Sequence, residues 1–350
     1  VTPHEKRLLQ QIEATYPVLD SWFTRTATSV EVPQPGSELF ADDLAFRYSP
    51  ISEISRISLA SGVEHLRMVR VVIDARQLFP SATFTALRGA LVGGAQAVWI
   101  LSPDNTMDRQ SRGLTVIAEE YAQLAKCYRE ADRLQPGTVP TDQWAWINER
   151  MDQLAQIRGP RPPELNQTTM IATALDEAFP NNLDRQQSGR LLWRQMSSDA
   201  HVLTWGMAQR SRVGLPAAKG EDLSVLTAPG TLDHTADAFL CTFELARKGW
   251  SLFDRRCEAP KSSQPAADDV SDASATTACA SHLPCGGRRH RTKFSSRATP
   301  GKATEQHRRR RLRAQRHRGE GRTSEHVRSG LVLGHSLVHD VRRDEPVCRS

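Results

Sequence analysis

ALRGALVGGAQAVWIL, residues 86 to 101, is the stretch whose reading decides the fold. It is apolar, built largely of small residues, and does not alternate at the period of two that a half-buried strand requires. Gly89, Gly93 and Gly94 lower its helix propensity, yet they also allow a second backbone to approach closely. The segment Ser81–Leu101 is therefore expected as a helix at the centre of the molecule. Pro80 stops the preceding element and Ser81 is placed to cap the new one.

Outward from this centre the chain reads as further helices. Ser52–Phe79 carries Ile54, Ile57, Ser61, His65, Met68 and Val72 at helical spacing. Asp108–Leu134 follows the turn Ser102-Pro103-Asp104-Asn105, with Leu114, Ile117, Tyr121, Leu124 and Tyr128 on one stripe. Thr141–Ile157 is helical, with Thr141 or Asp142 as cap, and GPRPP (Gly159–Pro163) is a stiff linker after it. Thr168–Ala178, Asp184–Gln209 and Thr231–Phe253 complete the set. At the front, His4–Phe23 is expected as a helix kinked by Pro17, and Val30–Pro50 and Arg212–Gly230 as loops. No long stretch alternates at period two, so the expected fold is an all-α multi-helix bundle of about seven or eight helices.

Charge and aromatic content divide the chain near residue 257. Residues 1–257 hold 27 Lys and Arg against 30 Asp and Glu, whereas 258–350 hold 19 against 10. All seven tryptophans and all four tyrosines lie in the first part, and the second contains a single large aromatic, Phe294. A segment with so little apolar surface cannot offset its chain entropy, so 258–350 is expected to be a disordered, basic tail. The body is 1–257, with its core in 52–257. The pI near 9.2 then belongs to the tail.

Within the tail, Cys279, His282, Cys285 and His290 are zinc-ligand types, but their order fits no common finger and no apolar core surrounds them. No metal or cofactor is expected. QHRRRRLRAQRHR, Gln306–Arg318, suits phosphate contacts without sequence readout. The Arg-, His-, Ser- and Ala-rich texture of the tail is also what an out-of-frame reading of GC-rich DNA produces, which predicts a tail without selected function. The six cysteines are scattered, no secretory leader opens the chain, and the longest apolar run, Gly89–Leu101, falls short of a membrane span. A cytoplasmic protein without a membrane partner is expected.

One helix carries a chemical pattern. In LLWRQMSSDAHVLTWGM, residues 191–207, a helical projection places Leu192, Met196, Ala200, Leu203 and Met207 on one face. Arg190, Arg194, Ser197, Ser198, His201 and Trp205 form the opposite stripe. Arg194 and His201 are aligned but about 10.5 Å apart along the axis. His65, beside Glu64, reads as a core histidine, and Asp233-His234 as part of a helix start.

Arg194-x6-His201 on a late helix of an all-α body resembles the HEPN superfamily. Its active members use Arg-x4–6-His from two protomers as a metal-independent endoribonuclease. Glu64-His65-Leu66, Thr85–Arg112 and Leu192–His201 together resemble uncharacterised helical proteins common in actinobacteria. The resemblance implies a homodimer and a binding role in stress or phage defence. It also implies an alternative in which His201 is general base or acid at a ribose 2′-hydroxyl or leaving 5′-oxygen and Arg194 steadies the phosphorane. Arg190, Ser197, Ser198 and Trp205 would then contact RNA. A third expectation is nucleic-acid association through the basic tail.

Overall fold

The computed structural model describes residues 2–28, 30–210, 212–216, 224–227 and 230–260. The expectations for the tail, its zinc-ligand types and its basic run fall on residues 261–350, outside the described residues. Among the described residues there are eleven helices and one short hairpin. They are α1 (Pro3–Glu13), α2 (Tyr16–Thr28), α3 (Glu38–Asp43), α4 (Ile51–Asp74), α5 (Ala82–Leu101), α6 (Thr106–Leu134), α7 (Thr141–Arg158), α8 (Gln167–Ala178), α9 (Leu183–Ala200), α10 (Thr204–Arg210), β1 (Arg212–Pro216), β2 (Ser224–Thr227) and α11 (Leu232–Cys257).

The bundle is helical, as the periodicity predicts, but it is cut into more pieces. The first expected helix is two: Ala14 and Thr15 separate α1 from α2, and the Thr15 hydroxyl donates to the Ile12 carbonyl. Pro17 does not kink a continuous helix. It stands in the first turn of α2, where a missing N–H leaves no acceptor unserved. The expected loop at 30–50 contains α3, capped by Ser37, whose hydroxyl accepts from the Phe40 amide. The expected loop at 212–230 contains the antiparallel pair β1–β2, with Arg212 opposite Thr227. Caps differ too. Ser81 has helical backbone angles and makes no side-chain cap bond, and the residue before α7 is Pro140 rather than Thr141 or Asp142.

α5 is the axle of the bundle. It packs against α4, α11, α8, α9 and α6. By length and composition it is apolar enough to cross a membrane, yet 61% of its most apolar window is covered by the rest of the protein. Its glycines explain the packing. A Cβ on Gly93 would fall 2.4 Å from the Ser58 carbonyl oxygen of α4, and one on Gly94 would fall 3.0 Å from the Ala246 amide of α11. Two backbones thus lie directly against α5 on neighbouring faces. Any side chain at Gly93 forces helices apart, the kind of overpacking that costs about 1–3 kcal/mol.

One end of the bundle is tied by buried charge. Arg109 and Asp42 are both fully buried, and Arg109 Nε donates to Asp42 Oδ2 at 2.6 Å. Arg256, also buried, donates to Asp104 at 2.8 Å and bonds Glu38. This network joins α3, the start of α6 and the end of α11. Burial pushes the Asp42 carboxyl above the usual range, against the pull of the Arg109 guanidinium. Removing one partner would strand a buried charge, so the network fixes the register of these three elements.

Candidate functional site

α9 begins with the Asn182 side chain accepting from the Arg185 amide, and it packs on α5 and α8. The sequence predicts that it runs on to Gln209. It stops at Ala200 instead. His201 is the C-cap, the Val202 amide donates to the Asp199 carbonyl at 3.0 Å and the Leu203 amide to the Ser198 carbonyl at 2.7 Å. This pair of bonds is the Schellman closure of a helix, which puts the next residue in the left-handed region. Val202 occupies that place with φ +56°. The chain then reverses into α10.

Two features hold α10 against α9. Arg210 Nη2 donates to both carboxylate oxygens of Asp199, and both residues are buried. Gly206 lies against Ser198, where an added Cβ would fall 1.9 Å from the Ser198 Oγ. Neither Asp199, Arg210 nor Gly206 is singled out by the sequence pattern. The one available signal was the opposite charge of two residues eleven apart, a spacing no single helix brings into contact.

This turn closes one side of a cleft of about 510 Å³. Arg88 of α5, the start of α8 (Asn166, Gln167, Thr168) and Trp193, Arg194, Ser197, Ser198, His201 and Trp205 line it. Arg194 and His201, the expected pair, therefore open into one cavity despite the broken helix. Arg194 is exposed and makes no hydrogen bond or ion pair among the described residues. His201 is exposed as well, and its ring is likewise free among the described residues.

The remaining expected contacts are sorted by the structure. Trp205 is 41% exposed and lines the cleft. Ser197 lines it too and accepts from Arg88 Nε at 3.3 Å. Ser198 was expected on the wet stripe, but it is only 1% exposed, because the turn folds α10 over it. Its Oγ has no hydrogen-bond partner among the described residues. Arg190 does not reach the cleft lining; it is paired with Asp176 of α8 at 2.5 Å. Leu203 and Met207, expected on the apolar face, are exposed, since they lie beyond the break.

Arg88 is the residue that sequence reasoning missed. It lies inside the apolar helix that organises the fold, and its site partner Ser197 is 109 residues away. Its guanidinium lies 4.8 Å from the centre of the Trp193 ring, a cation–π contact. Burial pulls its pKa below the usual arginine value, with no carboxylate to oppose the shift. An arginine remains charged under such a shift. The cleft thus holds two guanidinium groups and an imidazole, and among the described residues no Asp or Glu lines it.

Other candidate positions carry less chemistry. His65 lies over Gly89, where a Cβ would come 2.5 Å from its Nε2. Thr231 caps α11, as expected, and its hydroxyl is 3.0 Å from His234 Nδ1. Asp233 pairs with His4 at 3.3 Å. A second groove of about 630 Å³ lies between α1, α9 and α11. It contains Cys241, whose thiol burial pushes up to about 12, so it is not a nucleophile at neutral pH. Among the described residues no group of His, Cys, Asp and Glu has the arrangement of a metal site.

No family model matches the chain, and neither the curated proteins nor the solved structures contain a match to it.

Proposed function

We propose that the helical body is a HEPN-like binding protein that takes single-stranded RNA in the cleft between α5, α8 and the α9–α10 turn. The observation that supports this reading is charge. The body as a whole carries more acidic than basic residues, yet this cleft is lined by Arg88, Arg194 and His201 and, among the described residues, by no carboxylate. Unpaired guanidinium groups are suited to phosphate, and an exposed tryptophan beside them is suited to a base. Trp205 offers such a ring. The HEPN resemblance adds a homodimer across α9, in keeping with the exposure of Leu191, and a setting in stress or phage defence.

A second reading follows from the shared cavity of Arg194 and His201. With RNA in the cleft, the imidazole takes the 2′-hydroxyl proton, the 2′-oxygen attacks the adjacent phosphorus to form a 2′,3′-cyclic phosphate as the P–O5′ bond breaks, the 5′-oxygen leaves with a proton returned from the imidazolium, and Arg194 offsets the charge growing on the phosphorane oxygens. No metal is used in this chemistry.

The test uses the full chain and a fluorescein-labelled oligouridylate in EDTA. Single substitutions leave the basic tail intact, so differences between variants report the cleft. Binding weakened about tenfold in Trp205→Ala and Arg194→Ala supports the binding reading, given the usual strength of base stacking and charged hydrogen bonds. Unchanged binding in both overturns it. Cleavage that vanishes in His201→Ala, with binding retained, supports the second reading, and intact RNA after long incubation overturns it.

A further inference from the structure

The cleft contains more than the arginine and histidine that drew attention to it. The start of α8 opens into it. Asn166 caps that helix by accepting from the Thr169 amide at 3.0 Å, while the Gln167 and Thr168 amides have no acceptor among the described residues. Such first-turn amides, with the helix dipole behind them, are a ready anion seat. The arginines and the tryptophans of the cleft point the same way. Arg88 and Arg194 line the cavity with no carboxylate partner among the described residues, and the buried Ser198, its Oγ packed against Gly206, backs its wall. The two tryptophans differ in use: Trp193 is buried under Arg88, while Trp205 leaves a face open.

Resting on the reading of this cleft as an RNA site, we propose that it recognises a terminal phosphate monoester. The phosphate is seated on the first amides of α8 between Arg88 and Arg194, with the attached base against Trp205. Charge selects the monoester over a bridging phosphate. Two guanidinium groups and about half a charge from the helix start exceed the single charge of a phosphodiester. They match the charge of about −1.5 to −2 that a terminal phosphate carries at pH 7. The third phosphate oxygen of a chain end also gives each donor group its own acceptor. The cleft volume of about 510 Å³ suits one nucleotide rather than a length of strand. The ligand is then either a free nucleoside 5′-monophosphate or the 5′-phosphorylated end of an RNA.

The experiment compares four probes on the full chain at fixed salt: adenosine 5′-monophosphate, adenosine, and one oligoribonucleotide with a 5′-phosphate or a 5′-hydroxyl. Tryptophan quenching and competition report binding. The phosphorylated member of at least one pair is expected to bind about tenfold tighter than its partner, the effect of one or two charge-assisted hydrogen bonds. Arg88→Gln and Arg194→Gln are expected to erase that preference. Circular dichroism checks that Arg88→Gln is folded, and exposed Arg194 supplies an independent variant. Preference for the phosphorylated RNA alone identifies an RNA end, and preference for the free nucleotide alone identifies a small ligand. Equal affinity within both pairs overturns the proposal. If the RNAs bind equally but lose affinity in Trp205→Ala, the phosphate seat falls while the RNA reading stands. If only the nucleotide binds, in an Arg88-dependent way, the seat stands and the RNA reading falls.

Discussion

Arg210 Nη2 lies 2.6 and 2.7 Å from the two carboxylate oxygens of Asp199, with both side chains buried. The same guanidinium lies 4.1 Å from the centre of the Phe84 ring and reaches the Pro80 carbonyl. One ion pair thus straps the last turn of α9 to the last residue of α10 and fastens both to the start of α5. His201 and Trp205 sit within the loop it closes. The strap is what turns a broken helix into a cleft wall.

Asp199→Ala should therefore lower the unfolding free energy by about 3 kcal/mol or more, because it leaves a buried guanidinium uncompensated. Urea denaturation measures this. The double change Asp199→Leu with Arg210→Met removes both charges and should recover most of the loss. A double variant as unstable as Asp199→Ala would show that packing, not stranded charge, sets the effect.

The turn itself holds a second expectation. Val202 has φ +56°, a region in which a β-branched side chain is strained, and it is 88% exposed, so its side chain gives little back. The Schellman closure around it favours glycine at this position. Val202→Gly should stabilise the protein by about 1 kcal/mol, the left-handed penalty relieved being larger than the extra entropy of an unfolded glycine. A fall in melting temperature for this variant would mean that the strain does not exist in solution.

That valine also explains what the sequence concealed. A glycine at 202 would have announced the end of α9, but a valine gives no stop signal, so the helix is read through to Gln209. The central helix was legible because its glycines and apolar residues are all local. The split between α1 and α2 was not, since Ala14 and Thr15 are compatible with helix and the break is marked by the bonds of the Thr15 amide and hydroxyl to the Ile12 carbonyl. Arg194, His201 and Trp205 could be found from their spacing alone. Arg88 could not, because its site residues arrive from α8 and α9 through tertiary packing, and nothing in ALRGA distinguishes a site arginine from a solvated one.

Acid should loosen a different corner of the molecule. Asp132, near the end of α6, accepts from the Val139 amide at 2.9 Å and from Trp144 Nε1 at 2.6 Å, pinning the passage into α7. The Val139 amide, and then the Trp144 indole, hold its carboxyl below the usual value of 3.8. A carboxyl lowered by folding contributes stability that is fully present above its unfolded value, and that contribution is lost as pH falls through the folded value. At pH 7 Asp132→Asn should therefore be less stable than the parent chain. The gap should narrow below about pH 4, where the unfolded carboxylate takes up its proton, and close once the folded one is protonated as well. Urea midpoints for the two chains, measured at intervals between pH 7 and pH 2, follow this directly. A gap that stays constant down to pH 2 would show that the Asp132 charge plays no part in holding the α6–α7 corner.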